Sequence, residues 1–153
     1  CNTINVFLSE IRSSVSIPII GVAEEVGKFI ENKYKTVGLL STASTAEFDV
    51  FDKELKNLGI RIVKPDKTFQ KTLTGIILNI LGGNKSEDDI KKIENMVKYL
   101  SSNGAEAVIL GCTDLPLLVN KPYIGNVEVI DTNHILAMAA VEESMRGFKT
   151  KER

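Results

Sequence analysis

Apolar residues along this chain recur in two periods that take turns. Ile4, Phe7, Leu8 and Ile11 fall at i, i+3, i+4 and i+7, the spacing of one helical face, with Asn2 or Thr3 placed to cap it and Cys1 at its start. Ile17 to Val22 is a short apolar run with Pro18 near its beginning and reads as a strand, followed by a helix marked by Val26, Phe29 and Ile30. Thr36 to Leu40 reads as a buried strand, and Phe48, Phe51, Leu55 and Leu58 as a helical stripe closed by Gly59. Ile60 to Val63 gives a further strand that stops at Pro65. The next helix carries Leu73, Ile76, Ile77 and Ile80 and ends at Gly82-Gly83.

Ser86 and Asp89 form a start resembling a capping box for a helix bearing Ile90, Ile93, Val97 and Leu100. Ala107 to Leu110 has the unbroken apolar character of a central parallel strand, and Gly111 opens the turn behind it. Val127 to Ile130 is the last strand. Asp131 and Thr132 can cap a helix running to about Gly147, and Lys149 to Arg153 reads as a solvated tail. Strand and helix alternate throughout, which predicts an α/β fold: a parallel sheet with helices on both faces. Ligands bind such sheets at the carboxyl ends of the strands.

The 153 residues, 43% hydrophobic, suffice for a compact domain with a real core. Nineteen basic and 20 acidic side chains leave a formal charge of -1, which supplies no pull toward nucleic acid or an anionic membrane. No apolar run approaches the roughly 20 residues that cross a bilayer. Two distant cysteines make no disulfide framework, and a reducing, cytoplasmic compartment is expected. The chain starts at Cys1 with no strand ahead of its first helix, which sets the expectation of further sequence upstream.

The chemistry concentrates on the two thiols. Cys1 opens Cys1-Asn2-Thr3 and Cys112 sits in Gly111-Cys112-Thr113-Asp114, each ahead of a threonine-bearing turn. A thiolate is a far better base or nucleophile than a hydroxyl at neutral pH, and turn N–H groups are expected to lower the thiol pKa. Structural filler is the competing reading, because free cysteine is among the most buried residue types. The loop Ser41-Thr42-Ala43-Ser44-Thr45 also falls at a strand's carboxyl end, where its hydroxyls and the N–H groups of a helix start suit a carboxylate. It lacks the glycines and lysine of a P-loop. The only histidine, His134, lies in the first turn of the last helix without a Cys-x-x-Cys companion, so no metal site is expected and His134 reads as structural or solvent-facing.

Four segments together resemble one family. Cys1-Asn2-Thr3, Val37 to Thr45, Gly104 to Leu118 with its Gly-Cys-Thr-Asp-Leu-Pro core, and Val129-Ile130-Asp131-Thr132 are similar to the aspartate/glutamate racemases. The cysteines stand 111 residues apart (112 minus 1). The resemblance implies a cofactor-independent amino-acid racemase of two pseudo-symmetric α/β lobes, each giving one cysteine to the cleft between them. Cys1 and Cys112 would then exchange protons with opposite faces of the substrate α-carbon. Asn2, Thr3, Thr42, Ser44, Thr45 and Thr113 would hold its amino and carboxylate groups, and Asp114 would tune a thiol.

By the same resemblance the first lobe is incomplete here, comprising residues 1–34 and 128–153, the second lobe spans 35–127, and the protein is a homodimer. The chain departs from the pattern at Asn5, where relatives often carry histidine. It departs again at Ser44, Phe51 and Gly82, where glycine, tyrosine and a basic residue are common. Asp114 points to aspartate as substrate, with glutamate beside it. Two other readings compete: an N-terminal-nucleophile hydrolase using Cys1 and its α-amine, and a non-catalytic amino-acid-binding relative. The first has no use for Cys112.

Overall fold

The unbroken apolar runs become the middle of a five-stranded sheet. A computed structural model of the protein describes residues 1–149. The strands are β1 (Thr36–Ser41), β2 (Arg61–Val63), β3 (Ala107–Gly111), β4 (Tyr123–Ile124) and β5 (Val127–Asp131), in the order β2-β1-β3-β5-β4. All pairings are parallel except β4 with β5. The helices are α1 (Leu8–Ser14), α2 (Val22–Ile30), α3 (Ala43–Glu47), α4 (Asp52–Asn57), α5 (Lys67–Leu81), α6 (Glu87–Ser102) and α7 (Thr132–Lys149). A 3-10 turn at Asn2–Phe7 precedes α1.

Alternation along each strand divides the core in two, since successive side chains point to opposite faces. Leu40, Val108, Leu110 and Val129 meet α5 and α6 through Leu73, Ile77, Ile93 and Leu100. Val37, Leu39, Ile109 and Ile130 meet α2, α4 and α7 through Val26, Ile30, Leu55 and Ile135. The expected α/β fold with helices on both faces is therefore present. From the segments 1–34 and 128–149, α2, β5 and the start of α7 share this sheet and core with residues 35–127, because β5 is laddered to β3 and α2 packs on α7 and α4. Gly38 lets α6 come close: a Cβ there would lie 2.9 Å from Leu100 Cδ1 and 3.0 Å from Val108 Cγ2.

Several expected elements differ. Ile17 to Val22 is not a strand; its chain is irregular up to Gly21, and Val22 begins α2. Pro18 lacks a ladder donor, and the Ile19 carbonyl is taken by the Arg12 guanidinium at 2.8 and 3.1 Å. The Phe48–Leu58 stripe is broken: Asp49 takes φ 51°, α3 and α4 are separate helices, and Phe48 is exposed while Phe51 and Leu55 are buried. The Ile4/Phe7 face is likewise exposed, at 53% and 55%. Neither Asn2 nor Thr3 caps the opening helix. The short antiparallel β4 had no sequence signal. Residues 150–153 of the expected tail lie outside the described residues.

The expected start of α6 is present in half. Ser86 Oγ accepts the Asp89 N–H at 3.0 Å, but the Asp89 carboxylate, instead of reaching back, takes the Asn79 amide at 3.0 Å and Lys92 at 3.5 Å. Ser86→Ala is expected to cost about 1 kcal/mol in a chemical-denaturation series, the usual loss for a serine cap.

Candidate functional site

The order β2-β1-β3 turns the chain's progress around at β1, so the switch point of the sheet, where ligands of such folds bind, lies between the carboxyl ends of β1 and β3. Ser41 and Gly111 are register partners at that edge, and the residues that follow each strand are Thr42 and Cys112. The sheet alone thus places the hydroxyl loop and the second thiol side by side. Gln70 on α5 reaches the same edge, where its side-chain amide donates to the Ser41 carbonyl at 3.1 Å.

On the β1 side Thr42 caps α3, its Oγ1 accepting the Thr45 N–H at 3.2 Å. Thr42 and Thr45 hydroxyls are 2.9 Å apart, and Thr3 Oγ1 joins them at 3.4 and 2.8 Å. Three of the expected binding residues therefore converge, although Thr45 is 1% exposed and its hydroxyl is engaged by the other two. Ser44 is exposed at the start of α3 and outside that triad.

On the β3 side Cys112 is buried and its Sγ lies 3.6 Å from Asp114 Oδ2, within reach of an S–H donor. Burial pushes this thiol up and the Asp114 carboxylate adds to it, while the N–H groups of Asp114 and Leu115 pull down without cancelling the rise. This corrects the expected lowering by turn N–H groups. The turn does supply them, but an apolar surround and an adjacent carboxylate outweigh them. Thr113 is half-buried, and its carbonyl accepts from Asn133 Nδ2 at 2.9 Å.

Cys1 is exposed at the head of the 3-10 turn. The turn itself is anchored. Asn2 is buried and donates through Nδ2 to Thr132 Oγ1 at 3.0 Å, and Thr132 Oγ1 donates to the Leu110 carbonyl at 2.9 Å. Asn5 donates to the Asn2 carbonyl at 3.1 Å and accepts the Val22 N–H at 3.0 Å, so it is a brace between the turn and α2. Asp131 caps α7, accepting from the N–H groups of Asn133 and His134 at 2.8 and 3.4 Å. His134 is exposed. Among the described residues no cluster of three or more His, Cys, Asp and Glu side chains could hold a metal, and no helix is long and apolar enough to cross a membrane.

Sequence reasoning missed Gln70, Asn133 and the tie made by Thr132. The last had a signal in Val129-Ile130-Asp131-Thr132, which ends β5 as Gly111-Cys112 ends the neighbouring β3.

Iodoacetamide at neutral pH is expected to label Cys1 at least about tenfold faster than Cys112, because the reaction needs an accessible thiolate. Labelling of Cys112 should rise as pH passes its ordinary value of 9.0. A folded-state pKa above the unfolded one means the neutral thiol is the stabilised form. Its contribution is complete below the unfolded value and is lost as pH climbs through the folded one, so stability should fall there too. Intact-mass time courses check this, and equal rates at both cysteines at pH 7 would contradict it.

The chain matches the family described as Asp/Glu/hydantoin racemase over residues 1–140. It is 26% identical over 141 residues to a broad specificity amino-acid racemase of Bacillus subtilis (strain 168), covering 92% of this chain and 61% of that protein. With a glutamate racemase of Listeria monocytogenes serotype 4a (strain HCC23) it shares 32% over 129 residues, 82% of this chain and 47% of the relative. The fold superposes with a TM-score of 0.86 on a crystal structure of a candidate Asp/Glu racemase from Yersinia pestis, at 28% identity, over 95% of this chain and 64% of that one. An aspartate racemase homologue from Pyrococcus horikoshii OT3 gives 0.79 at 29% identity, with the same coverage of 95% and 64%. The chain thus spans less than two thirds of these relatives' lengths.

Proposed function

Since the chain belongs to the Asp/Glu/hydantoin racemase family, we propose that the protein interconverts the L and D forms of an acidic amino acid, aspartate first and glutamate second, without a cofactor. Inversion requires an acid-base group on each face of the α-carbon, one ionised and one protonated at the start. A Cys1 thiolate takes the α-proton: the C–H bond breaks, an S–H bond forms, and the electron pair spreads into the substrate carboxylate. The Cys112 thiol then gives its proton to the opposite face, restoring a C–H bond and leaving a thiolate. The reverse reaction exchanges the roles.

The observation that carries this reading is the state of Cys112. A thiol kept protonated by burial and by Asp114, at the switch point of the sheet and beside the hydroxyl loop, suits the group that begins as the acid. Accessible Cys1 suits the base. Thr3, Thr42, Ser44 and Thr113, with the N–H groups at the start of α3, are the groups proposed to orient the substrate, and Asn2 and Thr45 act from behind them. Asp114 favours aspartate over glutamate in this reading.

The remaining parts of the proposal concern the longer protein. A further lobe is proposed to pack against residues 1–21, which the exposure of Ile4, Phe7, Val15 and Ile17 supports, while α2 stays in the core of residues 35–127. The ladder between β3 and β5, with the packing of α7 on α2 and β3, keeps Val127–Asp131 and α7 with the sheet of residues 35–127, so no return to the first lobe is proposed at residue 128. A homodimer in a reducing cytoplasm completes the reading. The test is incubation in deuterated water with each enantiomer of aspartate and glutamate, following α-deuterium incorporation and enantiomer ratio. Absence of exchange with all four would sink the assignment.

A further inference from the structure

The structure assigns a positioning role to Thr132: its hydroxyl sets the Asn2 amide and, through it, seats the turn that carries Cys1 on the strand that carries Cys112. This rests on the two-thiol reading above and names a residue which that reading does not use.

A hydroxyl has one hydrogen to give. Thr132 is 0% exposed, which leaves no bulk water to satisfy it, and its hydrogen is directed at the Leu110 carbonyl, 2.9 Å away. Its oxygen can then only accept, and the group facing it at 3.0 Å is Asn2, itself 4% exposed. The Asn2 amide is therefore oriented with its nitrogen toward Thr132, an orientation dictated by the Leu110 carbonyl one bond further on. Leu110 of β3 precedes Cys112, just past the strand's end, by two residues, and Asn2 directly follows Cys1. The relay is the side-chain tie between the two thiol-bearing segments.

Thr132 is free to serve this way because it is not the cap of α7. Asp131 takes the first N–H groups of that helix, and the threonine one residue later turns its hydroxyl down onto β3. Asn5 holds the Asn2 carbonyl at 3.1 Å from the other side, so Asn2 is gripped at its backbone by Asn5 and at its side chain by Thr132. Removing the hydroxyl frees the amide to rotate, leaves the buried Asn2 N–H without its acceptor and takes one donor from the Leu110 carbonyl, and a displacement of the order of 1 Å at a reacting group can lower a rate by about 100-fold.

The test compares Thr132→Val, nearly isosteric without the hydroxyl, and Thr132→Ser, which keeps it, in the full chain and well below each variant's Tm. Thr132→Val is expected to lose about 10- to 100-fold in kcat with KM changed far less, and Thr132→Ser to stay within a few-fold of the parent. A fall in Tm with kcat unchanged would overturn the role, since a structural prop alone gives that result. Thr132→Ala, which cannot crowd the site, carries the same expectation and decides the matter if the valine variant does not fold. If the parent protein racemises nothing, the racemase reading fails by itself, and the positioning claim is then read from the alkylation rate of Cys1. A rate altered in Thr132→Val and restored in Thr132→Ser supports it; identical rates overturn it.

Discussion

Cys112→Ala is expected to lose at least about 10³-fold in kcat/KM for racemisation in both directions, the scale on which a positioned acid-base group contributes. Cys1→Ala should lose as much. The two variants should nevertheless differ in half-reactions. With only Cys1 left, the α-proton can be taken from one enantiomer and returned to the same face, so deuterium enters that enantiomer without inversion. With only Cys112 left, the other enantiomer should show this behaviour, more weakly at neutral pH, because burial and Asp114 disfavour its thiolate. Asp114→Asn should remove one of the influences holding that thiol up and shift the alkaline limb of the pH profile downward. Chiral chromatography with mass detection reads all of these at once. Racemisation by either alanine variant within tenfold of the parent would remove the two-thiol mechanism.

The next largest effect is expected in stability. Phe51→Ala should cost about 3–5 kcal/mol, the range for emptying a buried aromatic site. Phe51 is fully buried among the residues beneath β1 and β3, and its Cε2 lies 3.3 Å from where a Cβ on Gly111 would stand. It thus fills the floor behind the Cys112 turn. In a protein of this size the loss corresponds to a Tm decrease of about 6–20 °C. Phe48→Ala is the control: its ring is 60% exposed, and its removal should change stability by no more than about 0.5 kcal/mol. Equal midpoints for the two variants in urea would contradict the packing described.

These two phenylalanines mark where sequence reasoning ended. They sit three residues apart, in helical register with Leu55 and Leu58, and nothing in that spacing tells them apart. The left-handed Asp49 between them breaks the helix and rotates Phe48 out to solvent. With the break, Phe51 fills the space beside Gly111, a contact 60 residues away in sequence (111 minus 51) that local spacing does not carry. The run Ile17 to Val22 failed for a related reason. Apolar strand composition says only that a segment could pair, whereas in the fold the Arg12 guanidinium takes the Ile19 carbonyl and Val22 enters α2.

By itself the sequence determined most of the alternation of strands and helices, the burial of β1 and β3, the start of α6 at Ser86, and two thiols in like turns within a family's motif. All of these follow from period, propensity and local chemistry, which neighbouring residues carry among themselves. Only the tertiary structure decided that Thr42 and Cys112 are adjacent, because that depends on the register of strands some 70 residues apart (111 minus 41). It decided that Cys112 is held as a thiol, because its pKa answers to the depth of burial and not to the turn alone. It decided, too, that Thr132 faces β3 rather than capping its own helix, since one hydroxyl can satisfy either end and the buried Leu110 carbonyl, with no water to replace it, claims it.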